Sequence, residues 1–256
     1  MKSDSSLSFF DTCMRIGRSR APDPPGNVCD VPAVLACMDR HAITDAILEH
    51  AVAMEFSPRL GHEELARSIK GQPHLRPAWH LMPVVSDRIQ KAVTDPQEFL
   101  DAGVALGRVD AKDFCHGRGD EAGFAPVLEA CQAVHLPVFL DFRTQGSIMD
   151  FDFGICARWP GIPFVLEGSG GYPLHRTVWC LREYPNLHIS TLGDTFNGVS
   201  LLCEAAGAER VLFGSNFPAQ NIGMSLGCVV LADVSDADRR LIARGNMERL
   251  LGGISQ

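Results

Sequence analysis

Short apolar runs alternate with segments of helical periodicity along the chain, and this alternation constrains the fold more than any other feature. Most of the runs are nearly continuous in apolar residues, which is typical of parallel strands covered on both faces. Strand and helix in regular alternation predict an α/β fold, either a closed barrel or an open doubly wound sheet. Eight runs are predicted as strands: Ser8–Cys13, Thr44–His50, Arg76–Met82, Val104–Asp110, Pro137–Phe142, Pro163–Glu167, Leu187–Thr191 and Arg210–Ser215.

The turn after the first predicted strand separates these two folds. A doubly wound dinucleotide-binding sheet carries G-x-G-x-x-G at that turn, whereas this chain reads DTCMRIG over residues 11–17. Eight strands within 256 residues also suit a barrel. We therefore predict an α/β fold made of one (β/α)8 TIM-type barrel, in a single domain over residues 1–256.

The charge balance restricts the classes of partner. Acidic residues number 31 and basic residues 23, so the net charge is −8, which argues against nucleic acid or an anionic membrane surface as the main partner. No stretch is apolar for about 18 residues, and no apolar segment follows the first residues, so neither a membrane span nor a signal peptide is expected. The nine cysteines are odd in number, scattered and without a C-x-x-C pair, as expected of reduced thiols in a cytoplasmic protein.

Seven segments in chain order carry a family resemblance: FDTCMRIG (10–17), LACMDRHAI (35–43), LPVFLDF (136–142), PFVLEGSGG (163–171), YPNL (184–187), AERVLFGSNFP (208–218) and GNMERLL (245–251). Together they resemble the amidohydrolase-related family, also called amidohydrolase 2, whose barrels include hydrolases and decarboxylases. The resemblance implies a barrel whose active site lies at the carboxyl ends of the strands, as in barrels generally. It also implies a divalent metal at that site.

At the positions where the family places its metal ligands, this chain has other residues. Typical members use an H-x-H after the first strand, where this chain has Cys13 and Arg15. They use histidines after the fifth and sixth strands and an aspartate after the eighth, where it has Asp141, Glu167 and Asn216. Because Asn216 is uncharged and Arg15 is a permanent cation, we predict no metal and no cofactor. A divalent metal such as zinc, held by the thiol and the two carboxylates, is the alternative.

Polar residues at the predicted strand ends are the candidate site residues. Asp141 and Glu167 end neighbouring strands, and two close carboxylates can split their pKa values into a base and an acid. Both are therefore predicted to be catalytic, with His50 as a proton shuttle. The competing interpretation of each residue is structural, since buried charges are costly unless they are paired. Substrate binding is predicted for three cations that would hold an anion and for three residues beside them: Arg15, Lys112, Arg143, His80, Asn216 and Cys13.

These residues predict an enzyme that acts on a small anionic molecule by metal-independent acid/base chemistry, as a hydrolase, a decarboxylase or other lyase, or an isomerase. Two alternatives stay open. One is a catalytically inactive barrel that binds a ligand or a partner, and the other is a hydrolase with the atypical Cys/Asp/Glu metal site. A small molecule is the expected partner, and a homodimer is left open because barrels of this type often pair through exposed helices.

Overall fold

A single mostly parallel sheet organises the chain in the computed structural model, which describes residues 7–19, 28–84, 92–111, 118–143, 151–168, 174–193 and 196–254. Its strands lie in the order β2-β1-β3-β4-β5-β6-β7-β8-β9, and only β2 runs antiparallel to its neighbour. They are β1 (Phe9–Arg18), β2 (Val28–Cys29), β3 (Ile43–His50), β4 (Leu75–His80), β5 (Leu106–Asp110), β6 (Val138–Asp141), β7 (Phe164–Glu167), β8 (Leu187–Ser190) and β9 (Val211–Leu212).

The first and last parallel strands approach each other, so the sheet closes on itself. The Thr12 amide donates to the Phe213 carbonyl oxygen at 3.1 Å, and the Arg15 amide donates to the Phe217 carbonyl oxygen at 2.8 Å. Met14 and Phe217 also form an isolated parallel bridge. The eight parallel strands make a nearly closed barrel, and the predicted (β/α)8 fold is confirmed. The single domain over residues 1–256 stays a prediction.

Helices occupy the connections between the strands, and several begin at a capping side chain. Asp30 accepts a hydrogen bond from the Ala33 amide at 2.9 Å, and Ser235 accepts one from the Asp238 amide at 3.1 Å. No described helix has the length and apolar character that a membrane crossing requires. The helices are α1 (Val31–Arg40), α2 (Ala51–Glu55), α3 (Pro58–Ser68), α4 (Pro96–Asp101), α5 (Arg118–Ala133), α6 (Gly154–Arg158), α7 (Leu174–Glu183), α8 (Phe196–Ala206), α9 (Ile222–Val230), α10 (Asp236–Arg240) and α11 (Asn246–Gly252).

Apolar side chains fill the interior of the barrel. They form a cluster of their own, distinct from the larger core that lies between the strands and the helices. The strand residues of this cluster are each at most 2% exposed, so the barrel is a packed core and not a channel. We call the strand residues of this cluster the apolar plug: Phe10, Ile47, Ala78, Leu106, Phe139, Val165 and Leu212.

Two residues beyond the plug, the inward side chains of five neighbouring strands become polar. Side chains alternate between the two faces of a strand, so the residue two positions after a plug residue points to the same interior. The register of the strands also places these residues side by side, because His80 pairs with Arg108 and Asp141 pairs with Glu167. These residues lie at the carboxyl ends of their strands, where barrel enzymes have their active sites. We call them the polar layer: Glu49, His80, Arg108, Asp141 and Glu167.

Candidate active site

Arg108 lies in the middle of the polar layer and is bonded on every side. Its Nε and Nη2 donate to the two carboxylate oxygens of Glu167 at 2.7 and 2.9 Å, which is a bidentate pair. Nη1 donates to Glu49 Oε2 at 2.9 Å, and Nη2 also donates to the Thr12 carbonyl oxygen at 3.0 Å. The guanidinium carbon lies 5.6 Å from the centre of the Phe139 ring in the apolar plug. The side chain of Arg108 is only 1% exposed.

Arg143, just beyond the end of β6, contacts residues of β1 and β3 and a residue that follows β9. Its Nε and Nη2 donate to the two oxygens of Asp141 at 2.9 and 2.6 Å. Its Nη1 donates to Glu49 Oε1 at 2.9 Å and to Asn216 Oδ1 at 3.1 Å, and lies 3.0 Å from Cys13 Sγ. Glu49 therefore bridges the two guanidiniums of the site. We call the guanidiniums of Arg108 and Arg143, with the carboxylates that they contact, the guanidinium cluster.

The guanidiniums hold two of these carboxylates in the ionised form. Burial alone raises the pKa of Glu49, but Arg143 and Arg108 outweigh burial and lower it to about 2, with a smaller contribution from the half-buried Arg15. Burial also raises the pKa of Asp141, and Arg143 again outweighs it, so this pKa lies below its usual range. At neutral pH neither carboxyl holds a proton that it can donate.

Cys13 is fully buried at the edge of the guanidinium cluster. Burial raises the pKa of its thiol well above the usual range, and the nearby Arg143 lowers it by less. The thiol therefore keeps its proton at neutral pH. Since the thiolate is the nucleophilic and metal-binding form, Cys13 suits a neutral contact with a ligand better than covalent chemistry.

Asp11 links the backbone at Ser215 with the backbone at Cys13. Its Oδ1 accepts hydrogen bonds from the amides of Cys13 and Ser215, both at 3.0 Å. Its Oδ2 is buried with no hydrogen-bond partner among the described residues. Burial raises the pKa of this carboxyl to about 7, although hydrogen bonds from Ser215 lower it in part. Asp11 thus fixes the positions of two predicted substrate-binding residues.

The two candidate histidines lie in different places. His50 follows the inward-facing Glu49 and so lies on the outer side of β3, where its Nδ1 accepts a hydrogen bond from the Val52 amide at 3.2 Å and caps α2. His80 belongs to the polar layer, and its Nδ1 is buried without a partner in the described part of the chain. Burial lowers the pKa of both rings. The barrel interior therefore receives His80 and not the predicted shuttle His50.

The remaining predicted site residues fall into two groups. Arg15 contributes positive charge to the cluster through its effect on Glu49, as described above. Lys112 lies outside the described residues. The members of the other group all lie close to the guanidinium of Arg143, whose Nε is 3.8 Å from Glu167 Oε2. That group consists of Cys13, Asp141, Glu167 and Asn216.

The sequence interpretation missed Glu49, Arg108 and Asp11, although a signal existed for the first two. Glu49 stands two residues after the plug residue Ile47, so the alternation of the strand selects it and not His50 as the inward residue. Arg108 is a charged residue inside an apolar run, and a buried charge requires a partner. For Asp11 the sequence carries no comparable signal, because its role depends on backbone amides.

Solved structures of the same fold are similar to this chain over nearly its whole length. An uncharacterized TIM-barrel protein from Bordetella bronchiseptica has a TM-score of 0.75 at 15% identity, covering 98% of this chain and 100% of its own. A dihydroxybenzoic acid decarboxylase from Polaromonas sp. JS666, with bound manganese and 2-nitroresorcinol, has 0.72 at 16%, covering 96% and 97%. An amidohydrolase from Burkholderia multivorans with bound zinc has 0.72 at 19%, covering 96% and 99%. At sequence identities this low, the structural similarity establishes the fold alone. No curated protein matches the sequence.

The metals of two of these relatives correct the prediction that the barrel takes no cofactor. The decarboxylase holds manganese and the amidohydrolase holds zinc. Barrels of this fold therefore carry divalent metals although the sequence of this chain replaces the usual ligands. The prediction of no cofactor is wrong on this comparison, because it was inferred from the missing ligands alone.

The described residues of this chain do not fit such a metal in the arrangement that they adopt. The carboxylates of Asp141 and Glu167 contact guanidiniums, and the thiol of Cys13 keeps its proton. Within the part of the chain that the structure describes, no group of three or more His, Cys, Asp and Glu side chains could hold a metal ion. The alternative metal site of these three residues has no support from the geometry, and no catalytic step is assigned to a metal.

The comparison with protein families tests the resemblance that the ordered sequence segments carry. The sequence matches the model of the family described as amidohydrolase over residues 19–253, which is more than half of the chain. The resemblance inferred from the ordered sequence segments is thereby confirmed. This chain belongs to the amidohydrolase family.

Proposed function

We propose that this chain is an enzyme that acts on a small aromatic carboxylic acid, by decarboxylation or hydrolysis. The observation that carries the proposal is the guanidinium cluster, in which Arg108 and Arg143 meet three buried carboxylates at the carboxyl end of the barrel. Buried charges are costly, and groups with strongly shifted pKa values cluster at functional sites. The dihydroxybenzoic acid decarboxylase of the same fold supports the substrate class.

Arg143 is the proposed binding group for the carboxylate of the substrate. A guanidinium binds a carboxylate with two parallel hydrogen bonds, and Asn216 and Cys13 offer uncharged contacts beside it. The donors of Arg143 are already bonded to Glu49 and Asp141. The substrate must therefore displace one of these carboxylates in order to bind.

This displacement turns a carboxylate into a proton acceptor. The pKa of Asp141 lies below its usual range because Arg143 outweighs the effect of burial. Once the guanidinium bonds to substrate, burial dominates and the pKa of Asp141 rises. Asp141 then takes up a proton and becomes the acid of the reaction, while Glu167 keeps Arg108 in place through its bidentate pair. His80 replaces His50 as the proposed neutral group beside these carboxylates.

The chemistry follows from the protonated Asp141. For an aromatic acid, the proton moves to the ring carbon that carries the carboxylate. The bond between this carbon and the carboxyl carbon breaks, its electron pair remains with the ring as the new C–H bond forms, and CO2 leaves. For an ester or lactone, an ionised carboxylate instead accepts a proton from the water whose oxygen bonds to the carbonyl carbon. The bond between this carbon and the alcohol oxygen then breaks, and the carboxylate returns the proton to the departing alcohol oxygen.

Turnover of aromatic acids tests the proposed function. We expect CO2 release from at least one member of a panel of hydroxybenzoates, assayed with and without added manganese. Asp141→Asn should lower the rate by about 10²–10⁴-fold, because the acid can no longer form. Asp236→Asn is the matched control, since its carboxylate lies in an exposed pair on α10. Full activity of the Asp141 variant contradicts the assignment.

A second candidate is a catalytically inactive barrel that binds an anion. One observation favours it: the oxygens of the chain itself already bond both guanidiniums, so the cluster is complete without a ligand. Calorimetric binding of benzoate without conversion of any acid in the panel supports this candidate. Conversion by the wild-type chain that Asp141→Asn abolishes rules it out.

A further inference from the structure

A cavity of about 300 Å³ lies beside β4, between α3 and α4. α3 contributes His62 and Ala66 to its lining, and β4 contributes Trp79 and His80. None of the arginines of the guanidinium cluster lines it. His80 is shared, because it also belongs to the polar layer. The volume falls at the lower end of the range of pockets that bind small molecules, which is about 300–1,000 Å³.

The wall of the cavity contains an uncharged aromatic pair. The rings of His62 and Trp79 are stacked, with centres 4.8 Å apart and planes at 4°. Nε2 of His62 accepts a hydrogen bond from the His80 amide at 2.9 Å, which fixes the ring and leaves its proton on Nδ1. Burial lowers the pKa of His62 to about 3, so the ring is neutral at physiological pH. Apolar side chains, among them Leu81 and Ala92, complete the wall.

The charged residues at the cavity do not favour an anion. Arg59 and Glu63 are one turn apart on α3 and form an ion pair at 2.7 Å, so their charges offset each other. Glu98 of α4 adds a carboxylate to the lining. An anionic ligand would therefore meet no uncompensated cation among the described lining residues, in contrast with the guanidinium cluster.

We infer that this cavity binds a small, uncharged aromatic ring through its apolar lining and the His62–Trp79 pair. Apolar cavities of about 150 Å³ already bind benzene, so the space accommodates a substituted ring. Offset-stacked and edge-to-face arrangements with the aromatic pair add to the gain from burying apolar surface. This inference goes beyond the proposed function, because it concerns a different cavity and its binding is measured without turnover. Only the assignment of the ring to the bound acid rests on the proposed function.

The ring could come from two sources that share this chemistry. It is either the ring of the acid whose carboxylate binds Arg143, or a separate neutral molecule. His80 makes the first source feasible, since it lines the cavity and also belongs to the polar layer. Competition with a carboxylate separates the two sources.

The experiment measures phenol binding to the full-length chain by calorimetry, together with the NMR shift of the Trp79 indole N–H. We expect a Kd of about 1 mM, which is reasonable for a ligand of this size. Ala66→Leu places two methyl groups and a methine in the cavity from an exposed helix position and should weaken binding roughly tenfold. Ala36→Leu, at an exposed position within α1, is the matched control and should leave the affinity unchanged.

Two results support the inference and identify the source. If benzoate and phenol exclude each other, the cavity holds the ring of the bound acid. If both bind at the same time, the cavity holds a separate ligand. The inference is overturned if wild-type chain shows no saturable phenol binding, or if Ala66→Leu weakens binding no more than Ala36→Leu does. Failure of phenol binding leaves the proposed acid turnover untouched, since that is measured separately.

Discussion

Glu49 is the residue on which the arrangement of the site depends, because its carboxylate contacts both guanidiniums at 2.9 Å. Its side chain is 5% exposed, and those of Arg108 and Arg143 are 1% and 8% exposed. In such surroundings the loss of one charge leaves its partners uncompensated and shielded from water. Removing any one of the three residues is therefore expected to destabilise the barrel.

Replacement of Glu49 by glutamine tests this dependence. We expect Glu49→Gln to lower the free energy of unfolding by about 3–5 kcal/mol, since two buried guanidiniums lose a shared anion. Glu63→Gln is the matched control, because it removes an exposed ion pair worth about 0–1 kcal/mol. Urea unfolding followed by circular dichroism measures both. Equal effects of the two substitutions contradict the role of Glu49.

Asp11 should make the stability of the barrel depend on pH. Its pKa is about 7 in the folded chain and 3.8 ordinarily, so the folded state keeps a proton that the unfolded state has lost between these values. Stability therefore falls as pH rises from about 4 to about 7, by at most on the order of 4 kcal/mol. Asp11→Asn should remove this decline, as seen in urea unfolding over a pH series.

Two comparisons make that pH series decisive. Asp236→Asn replaces an exposed aspartate and should keep the wild-type decline. Glu49 acts in the opposite sense: its folded pKa of about 2 lies below the ordinary 4.5, so its contribution is complete above about pH 4.5 and is lost as pH falls towards 2. If the Asp11 variant shows the same slope between pH 4 and 7 as wild type, Asp11 titrates at its ordinary value.

At the scale of elements, apolar periodicity was sufficient to predict the strands but not the partners of their polar ends. All eight predicted parallel strands are present in the sheet. The pairing of Arg108 with Glu167 spans 59 residues, and that of Arg143 with Glu49 spans 94. Such pairs depend on strand order around the barrel, which hydrophobic periodicity within a strand does not encode. The choice of His50 followed the chemistry of histidine and overlooked the strand face that Glu49 shares with Ile47.

The end of β1 is coupled to the start of α2 through a glycine. Gly17 has a φ of +91°, and a Cβ there would lie 2.7 Å from Cε1 of His50. The ring of His50 caps α2, so a side chain at Gly17 would displace the cap. Two features therefore favour glycine at this position: the left-handed backbone conformation and the close approach of the His50 ring.

Alanine substitution at two glycines separates the free-energy cost of backbone strain from the cost of the contact with His50. Gly71 has a similar φ of +81°, but a Cβ there meets nothing within 4 Å. We expect Gly71→Ala to cost about 1–2 kcal/mol from backbone strain alone. Gly17→Ala should cost about 1 kcal/mol more, because the His50 cap is also lost. Thermal and urea unfolding of both variants measure the difference, and equal losses would exclude the contact with His50.

At the scale of the whole molecule, the barrel combines a stabilising plug with a site that carries buried charge. The apolar plug and the outer core bury the side chains that hold the strands together. In the polar layer above the plug, paired charges occupy positions that apolar side chains could fill. Such buried pairs are neutral or unfavourable for stability compared with hydrophobic residues. Natural proteins retain such arrangements where function requires them, which is why the layer is the part of the barrel to test for activity.

The net charge of −8 and the buried cations of the site act on an anionic substrate in opposite directions. The surface charge repels an incoming anion at long range. At 0.1 M salt this repulsion is largely screened beyond a distance of about 10 Å. The contact with Arg143 is buried, 8% exposed, so salt screens it much less. We therefore expect benzoate to bind with constant or modestly rising affinity between about 20 and about 200 mM sodium chloride. Isothermal calorimetry at several salt concentrations, with Arg143→Met as the variant that should lose binding, measures this. Several-fold weaker binding at high salt would instead indicate an exposed basic patch as the anion site, because screening weakens the attraction between exposed charges.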